Sequence, residues 1–252
     1  MATSNLSPEL RSMDQFRAAI GYSAEKGSMI DGLCLDRLCA VGRCLALGRG
    51  GQLPINGQED RLVFVANGYA KLVVQTDQNP SATPKQSTCS CHTGQILSFH
   101  FPGDIVSVLR DGRSAYRLIA LSDLECIVFE TDRFLDVAQD DPAVIRAVMT
   151  RSLEALHRSR ARMMQMGHKS ARQRVADFLV SIAHRVCGCT RGPCTFDLPM
   201  SRRDIGDSLG LTIETVSRQF ADLRSEALIE TQGRSQIKLQ NIDKLKQIRG
   251  QL

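Results

Sequence analysis

Residues 198–223, LPMSRRDIGDSLGLTIETVSRQFADL, read as two short helices around a tight turn. Ser201 stands where an N-cap belongs, Asp204 follows in the capping-box position, and Ile205 and Leu209 supply an inward face before Gly210 ends the helix. Thr212 is a second cap. Behind it Ile213, Val216, Phe220, Leu223 and Ala227 recur at spacings of three and four, which predicts one apolar stripe. On the opposite face Glu214, Ser217 and Arg218 stand at i, i+3 and i+4, so they project together from the first turns of the second helix. In a helix-turn-helix this is the face that meets base edges. Arg grips guanine O6 and N7 bidentately, Glu accepts from cytosine N4, and Ser bonds either way. The plainer alternative is an exposed Glu-Arg pair worth about 0.2–0.5 kcal/mol to its own helix. Two capped helices joined by Gly-Leu-Thr favour base reading over it.

At these residues the chain resembles the Crp/Fnr transcription regulators. The words PMSRRDIGDSLGLTIETVSR are close to those of the Fnr and FixK branch, whose second helix carries Glu-x-x-Ser-Arg, here Glu214, Ser217 and Arg218. The resemblance implies an α+β fold: an N-terminal β-roll (jelly-roll, cyclic-nucleotide-binding-like) sensor domain, a long dimerisation helix and a C-terminal winged helix-turn-helix. It also implies a regulator that binds palindromes of the form TTGAT-N4-ATCAA as a dimer, with Arg on guanine and Glu on the cytosine of a G·C pair, and that responds to oxygen or redox state. The partners implied are double-stranded DNA, a second copy of the chain and RNA polymerase.

Composition agrees with a soluble two-domain chain. The 252 residues are 42% hydrophobic and 23% charged, and no apolar run approaches the roughly 18–20 residues of a membrane span. The first residues lack the basic-then-apolar pattern of a secretory signal, so a cytoplasmic protein is expected. The formal charge is +5, and all of it lies in the last third. Residues 1–167 carry 18 basic and 18 acidic side chains, whereas residues 168–252 carry 14 and 9. That is the footprint of a phosphate-binding domain attached to a neutral one.

Working back from the N-terminus, residues 1–28 have little periodicity and are expected to be a mobile tail with at most a short helix. Residues 29–138 are expected to form the sensor domain, opening with one helix over 29–47, MIDGLCLDRLCAVGRCLAL. LVFVANGYAKLVVQT then reads as a hairpin about Asn67-Gly68. A polar loop over 79–93, a Pro-Gly-Asp turn at 102–104 and strands about Ser122-Asp123 complete a β-roll pattern. Residues 139–167 follow as a dimerisation helix, with Ile145, Met149, Leu156 and Met163 in its seam. Residues 168–252 form the DNA-binding domain, entered at Gly167. Its wing hairpin turns at Gln232-Gly233, and a short basic helix ends the chain. Candidate phosphate contacts are Ser201, Arg202 and Thr212 at the helix starts, with Arg234 and Lys238 in the wing.

The signal is less legible. The Fnr branch binds an iron-sulfur cluster through three N-terminal cysteines and one in the roll, so the resemblance makes Cys34, Cys39, Cys44 and Cys126 the candidate cluster or redox cysteines. The spacing departs from the family's, because five residues along a helix turn each cysteine about 140° from the last. Buried apolar thiols are the alternative. His184, Cys187, Cys189 and Cys194 could form a small zinc site, and Cys89, Cys91 and His92 lie together on the polar loop. Neither group follows a standard signature, and the sequence favours unliganded thiols in both. Arg113-Ser114-Ala115 resembles the Arg-Ser that holds a cyclic phosphate in the Crp branch, but the preceding Gly-Glu-Leu is missing. No Ser-His-Asp set, phosphate-cradling glycine loop or HExxH pattern is apparent, so an enzyme is not expected.

Overall fold

The computed structural model describes residues 7–21, 32–53, 59–76, 94–108, 110–111, 114–233 and 235–249. The chain divides into two compact units, Met1–His157 and Arg158–Leu252.

The first unit is a β-roll of two four-stranded sheets. One has the order β1 (Arg43–Leu47), β8 (Leu124–Glu130), β2 (Arg61–Asn67), β5 (Ile105–Val108). The other runs β4 (Gln95–His100), β3 (Ala70–Thr76), β7 (Ser114–Ala120), β6 (Arg110–Asp111). Val63, Val65, Val106, Leu118, Leu124, Cys126 and Val128 fill the space between the sheets. The alternate residues of β2 and β8, Phe64, Ala66, Ile127 and Phe129, face a second core on the outside. Both strands are therefore buried on both faces, which is why VFVA and CIVF read as continuous apolar runs.

Asn67-Gly68 is not a hairpin. β2 pairs with β8 and β5, whereas β3 pairs with β4 and β7, so the turn carries the chain from one sheet to the other. The turns at Pro102-Gly103 and Ser122-Asp123 do the same, and the roll is closed by these corners. At one of them the structure assembles a serine, a histidine and an aspartate that their spacing had not suggested as a set. Ser98 Oγ lies 2.7 Å from His100 Nε2, and His100 Nδ1 lies 3.6 Å from Asp104 Oδ2. The same Asp104 oxygen accepts the Phe101 N–H at 3.0 Å, so the string pins the corner.

The expected mobile tail contains α1 (Pro8–Gly21), whose Phe16 and Ile20 are buried in the outer core. Phe16 meets Phe64 and Phe129 at centroid distances of 5.3 and 5.1 Å, contacts worth about 0.5–1.5 kcal/mol each beyond area burial. The helix expected over 29–47 is also revised: α2 (Gly32–Val41) stops at Gly42 and β1 follows. A Cβ on Gly42 would stand 2.7 Å from both Ile127 Cγ2 and Phe129 Cε1, so glycine lets the chain turn into the sheet there. A five-residue strand was hidden because its apolar residues happened to continue the helical interval.

After α3 (Thr131–Ala138), the long helix α4 runs from Pro142 to His168, and Gly167 lies within it. Its first turns are fastened to the roll: Val144 is fully buried, Ile145, Ala147 and Val148 pack on the outer core, and Arg151 donates to the carbonyls of Gly103 and Ala19. Ile145 is thus committed to its own domain. Met149, Leu153 and Leu156 are 58%, 57% and 46% exposed. Leu153 was absent from the expected seam, and the side chain of Met163 lies outside the described residues.

The second unit holds α5 (Ala171–Cys187), α6 (Arg202–Leu209), α7 (Ile213–Ser225) and α8 (Ile242–Arg249). Its sheet has the order β10 (Ile229–Gln232), β11 (Gln236–Leu239), β9 (Cys194–Asp197). β10 and β11 form the expected wing hairpin, with Glu230 opposite Lys238. α5 is the central helix, packing on α7, α8 and β9. Among the described residues no helix is long and apolar enough to cross a membrane.

Candidate nucleic-acid interface

The α6–turn–α7 unit is locked by local bonds that its sequence specifies. Ser201 Oγ accepts the Asp204 N–H at 3.1 Å while the Asp204 carboxylate accepts the Ser201 N–H at 2.9 Å, which completes the capping box. Gly210 closes α6 in the left-handed conformation, at φ +63°, and Thr212 Oγ1 accepts from the Thr215 N–H to start α7. Gly206, which the periodicity did not mark, sets how close the turn comes. The Leu211 N–H donates to its carbonyl at 2.9 Å, and a Cβ there would lie 2.6 Å from the Leu211 oxygen. Gly206→Ala is accordingly expected to cost about 1–3 kcal/mol, as overpacking does, and chemical denaturation of the purified variant measures it.

Ile205, Leu209, Val216, Phe220 and Leu223 are buried between the helices. Two members of the predicted stripe are not: Ile213 is 38% exposed at the first turn, and Ala227 lies beyond the helix end at φ +54°. From α5, Arg174 donates to the Leu209 carbonyl at 2.8 Å and Arg172 grips both oxygens of Glu226. The end of α6 and the end of α7 are thereby both tied to α5.

Glu214, Ser217 and Arg218 are all exposed on one face of α7. Hydrogen bonds from its own backbone N–H and the Thr212 hydroxyl, then the charge of Arg203, hold the Glu214 carboxyl below its ordinary range, so it is ionised at neutral pH. Arg203 is exposed in the first turn of α6 and was missed by the sequence reading. Its neighbour Arg202 has another task. The Arg202 guanidinium sits 3.5 Å over the centroid of the Phe220 ring, a cation–π contact that ties α6 to α7. Burial first, and the charge of Arg224 second, lower its pKa to about 10, which leaves it cationic at neutral pH. In the wing, Lys238 is exposed with Nζ 3.6 Å from a Glu230 oxygen, a surface pair of small energy. Arg234 lies outside the described residues.

The four candidate sensor cysteines do not converge. Cys126 points into the roll interior, whereas Cys34 belongs to the outer core, with its Sγ against the Val137 carbonyl, and Cys39 and Cys44 pack on that same outer side. β1 and β8 explain the split, because Cys44 opposes Ile127 while Cys126 opposes Leu45, on the other face. These residues do not fit one iron-sulfur cluster in this conformation. Burial raises the thiols of Cys39 and Cys44, and it pushes Cys126 up to about 12 with a further rise from Cys44, which disfavours the reactive thiolate at these three. Alkylation of the native protein at pH 8 should therefore leave Cys126 unmodified until denaturant is added, as peptide mass spectrometry would show.

The described cysteines that do converge are in the other unit. The ligand atoms of Cys187, Cys189 and Cys194 all lie within 4.8 Å of one another. His184, grouped with them from sequence, is exposed and is not part of that set. Cys89, Cys91 and His92, and the cyclic-phosphate candidate Arg113, lie outside the described residues.

The Crp-like helix-turn-helix domain family matches residues 173–248. The transcriptional activator protein FnrL of Cereibacter sphaeroides is 35% identical over 149 residues, 57% of this chain and 59% of that protein. Nitrogen fixation regulation protein FixK of Bradyrhizobium diazoefficiens is 34% identical over 135 residues, 54% of this chain and 57% of that protein. The chain thus spans under two thirds of the length of these relatives. The solved structure of FixK2 from Bradyrhizobium japonicum superposes with a TM-score of 0.67 at 27% identity, covering 84% of this chain and 99% of that one.

Proposed function

The chain belongs to the Crp/Fnr family, in its Fnr/FixK branch, and from that premise we propose that it is a sequence-specific DNA-binding regulator of transcription that acts as a dimer in the cytoplasm. The observation that carries the reading is the exposure of Glu214, Ser217 and Arg218 on one face of a helix whose opposite face is fixed in the core. A side chain reads a base only if its backbone is held still, and the two caps, Gly206 and the Arg202–Phe220 contact hold α7. Ser201 and Thr212 at helix N-termini, with Arg203 and Lys238, supply phosphate contacts that set the register. RNA polymerase is the further partner that family membership implies.

Binding to duplex DNA carrying TTGAT-N4-ATCAA, measured at several salt concentrations, tests the proposal. The logarithm of the association constant should fall linearly with the logarithm of salt, by about 0.9 per phosphate neutralised. A flat line would point instead to a module whose helices contact protein.

Dimerisation through α4 rests on the exposed stripe of Met149, Leu153 and Leu156, spaced four and three along the helix. Replacing Leu153 and Leu156 together by Glu should yield monomers in sedimentation and weaken operator binding, because two half-sites must be engaged about one helical turn apart. An unchanged dimer would place the interface elsewhere. The four cysteines named for an oxygen or redox response belong to two different cores, which argues against a shared cluster in the roll.

A further inference from the structure

We infer that Cys187, Cys189 and Cys194 form a binding site for a thiophilic divalent cation of the zinc class, which staples the end of α5 to the wing sheet. The spacing Cys-x-Cys-x4-Cys matches no standard signature, and the fold supplies what the spacing conceals. Cys187 is the last residue of α5, Cys194 is the first of β9, and the turn between them folds back so that Cys189 meets both.

Zinc–sulfur bonds of about 2.3 Å put tetrahedral ligands about 3.8 Å apart, so sulfurs already within 4.8 Å of one another need only a small inward rotation. The turn is held in this shape by bonds that do not involve sulfur. Gly188 and Gly192 take φ +65° and +70°, the Gly188 N–H donates to the His184 carbonyl, Lys246 Nζ donates to the Thr190 carbonyl at 2.6 Å, and the Ile242 N–H donates to the Gly192 carbonyl at 3.1 Å. A pre-shaped cradle lowers the ordering cost of capturing the ion.

The chemistry of the set also points to a cation. Three thiols cannot all pair as disulfides, and within the cluster their hydrogen bonds go only to backbone carbonyls, Cys187 to Thr195 and Cys189 to Cys187, or to one another. An arriving ion replaces these weak bonds with three metal–sulfur bonds and releases the thiol protons to solvent. Cys187 is exposed, so a water from solvent completes the tetrahedron. Cys194 pairs with Leu239 of the wing and its strand runs on towards the Ser201 cap, so the ion would fix the sheet from which the helix-turn-helix departs.

The test uses the full-length reduced protein, stripped of metal and titrated with Zn2+ and with Co2+ as a coloured reporter. Wild type should bind one ion per chain at this site, show sulfur-to-cobalt charge-transfer absorption, and unfold at a higher temperature with zinc than without. The Cys187→Ser/Cys189→Ser protein should lose that ion, the absorption and the zinc-dependent shift. Both residues lie outside the buried core, and its unfolding without metal should match wild type, which separates loss of the site from loss of the fold. Cys89→Ser/Cys91→Ser should retain all three signals. The inference is overturned if wild type binds no ion, if the Cys187/Cys189 variant binds as wild type does, or if the three residues are found paired in a disulfide in protein purified without reductant.

Discussion

Gly68→Ala is expected to destabilise the β-roll by on the order of 3–5 kcal/mol, among the largest losses any single substitution in this chain should cause. Gly68 sits at φ +81°, and a Cβ there would lie 2.0 Å from the Asp123 carbonyl oxygen. That atom is backbone in the facing corner and has no rotamer to escape into. The two corners are bonded to each other, with the Tyr69 N–H donating to Ser122 Oγ at 3.0 Å and the Leu121 N–H to the Tyr69 carbonyl at 2.8 Å. Moving one corner therefore strains both sheets. Gly103 is the control: at φ +89° it has the same backbone requirement but open space around the missing Cβ, so Gly103→Ala should cost only the conformational part, about 1–2 kcal/mol. Denaturant midpoints of the two variants decide the matter, and equal losses would mean that corner contact contributes nothing.

Arg218→Ala is expected to remove about 1–3 kcal/mol from each half-site, and so about 2–6 kcal/mol from a dimer on a palindrome. Arg218 is exposed on a braced helix one turn after Glu214, whose ionised carboxylate can accept from cytosine N4 while the guanidinium takes guanine O6 and N7. Lys238→Ala should behave differently. A wing lysine that touches phosphate weakens every sequence alike and lowers the salt slope by about one unit.

How much of this was legible in advance depended on how far each feature reaches along the chain. The helix-turn-helix was readable because its determinants are local: Ser201 and Asp204 are three residues apart, Gly210 and Thr212 flank one turn, and Val216, Phe220 and Leu223 repeat on one face. The stacking of Arg202 on Phe220 was not legible because its partner lies on the next helix. In the roll, Asn67-Gly68 correctly announced a turn, but turn chemistry does not say which strands pair. That choice is made by β8, nearly sixty residues later, which takes β2 as its neighbour. Phe16 and Ile20 looked idle in a polar N-terminal segment until Phe64 and Phe129 met them. The cysteines show the same limit in both directions. Cys44 continued a helical interval yet lies on a strand facing away from Cys126, while Cys187, Cys189 and Cys194 had an unfamiliar spacing and are brought together by a turn.

The central claim is that Glu214, Ser217 and Arg218 read bases, and one titration tests it most directly. Wild type and Arg218→Ala are each bound to the TTGAT-N4-ATCAA duplex and to a duplex with the guanine replaced in both half-sites, at matched salt. Wild type should prefer the intact palindrome by the energy of its guanine contacts, and Arg218→Ala should bind the two duplexes with nearly equal affinity. If the variant instead binds both more weakly by the same factor and keeps the wild-type preference, Arg218 contacts phosphate and the reading face of α7 has been misassigned.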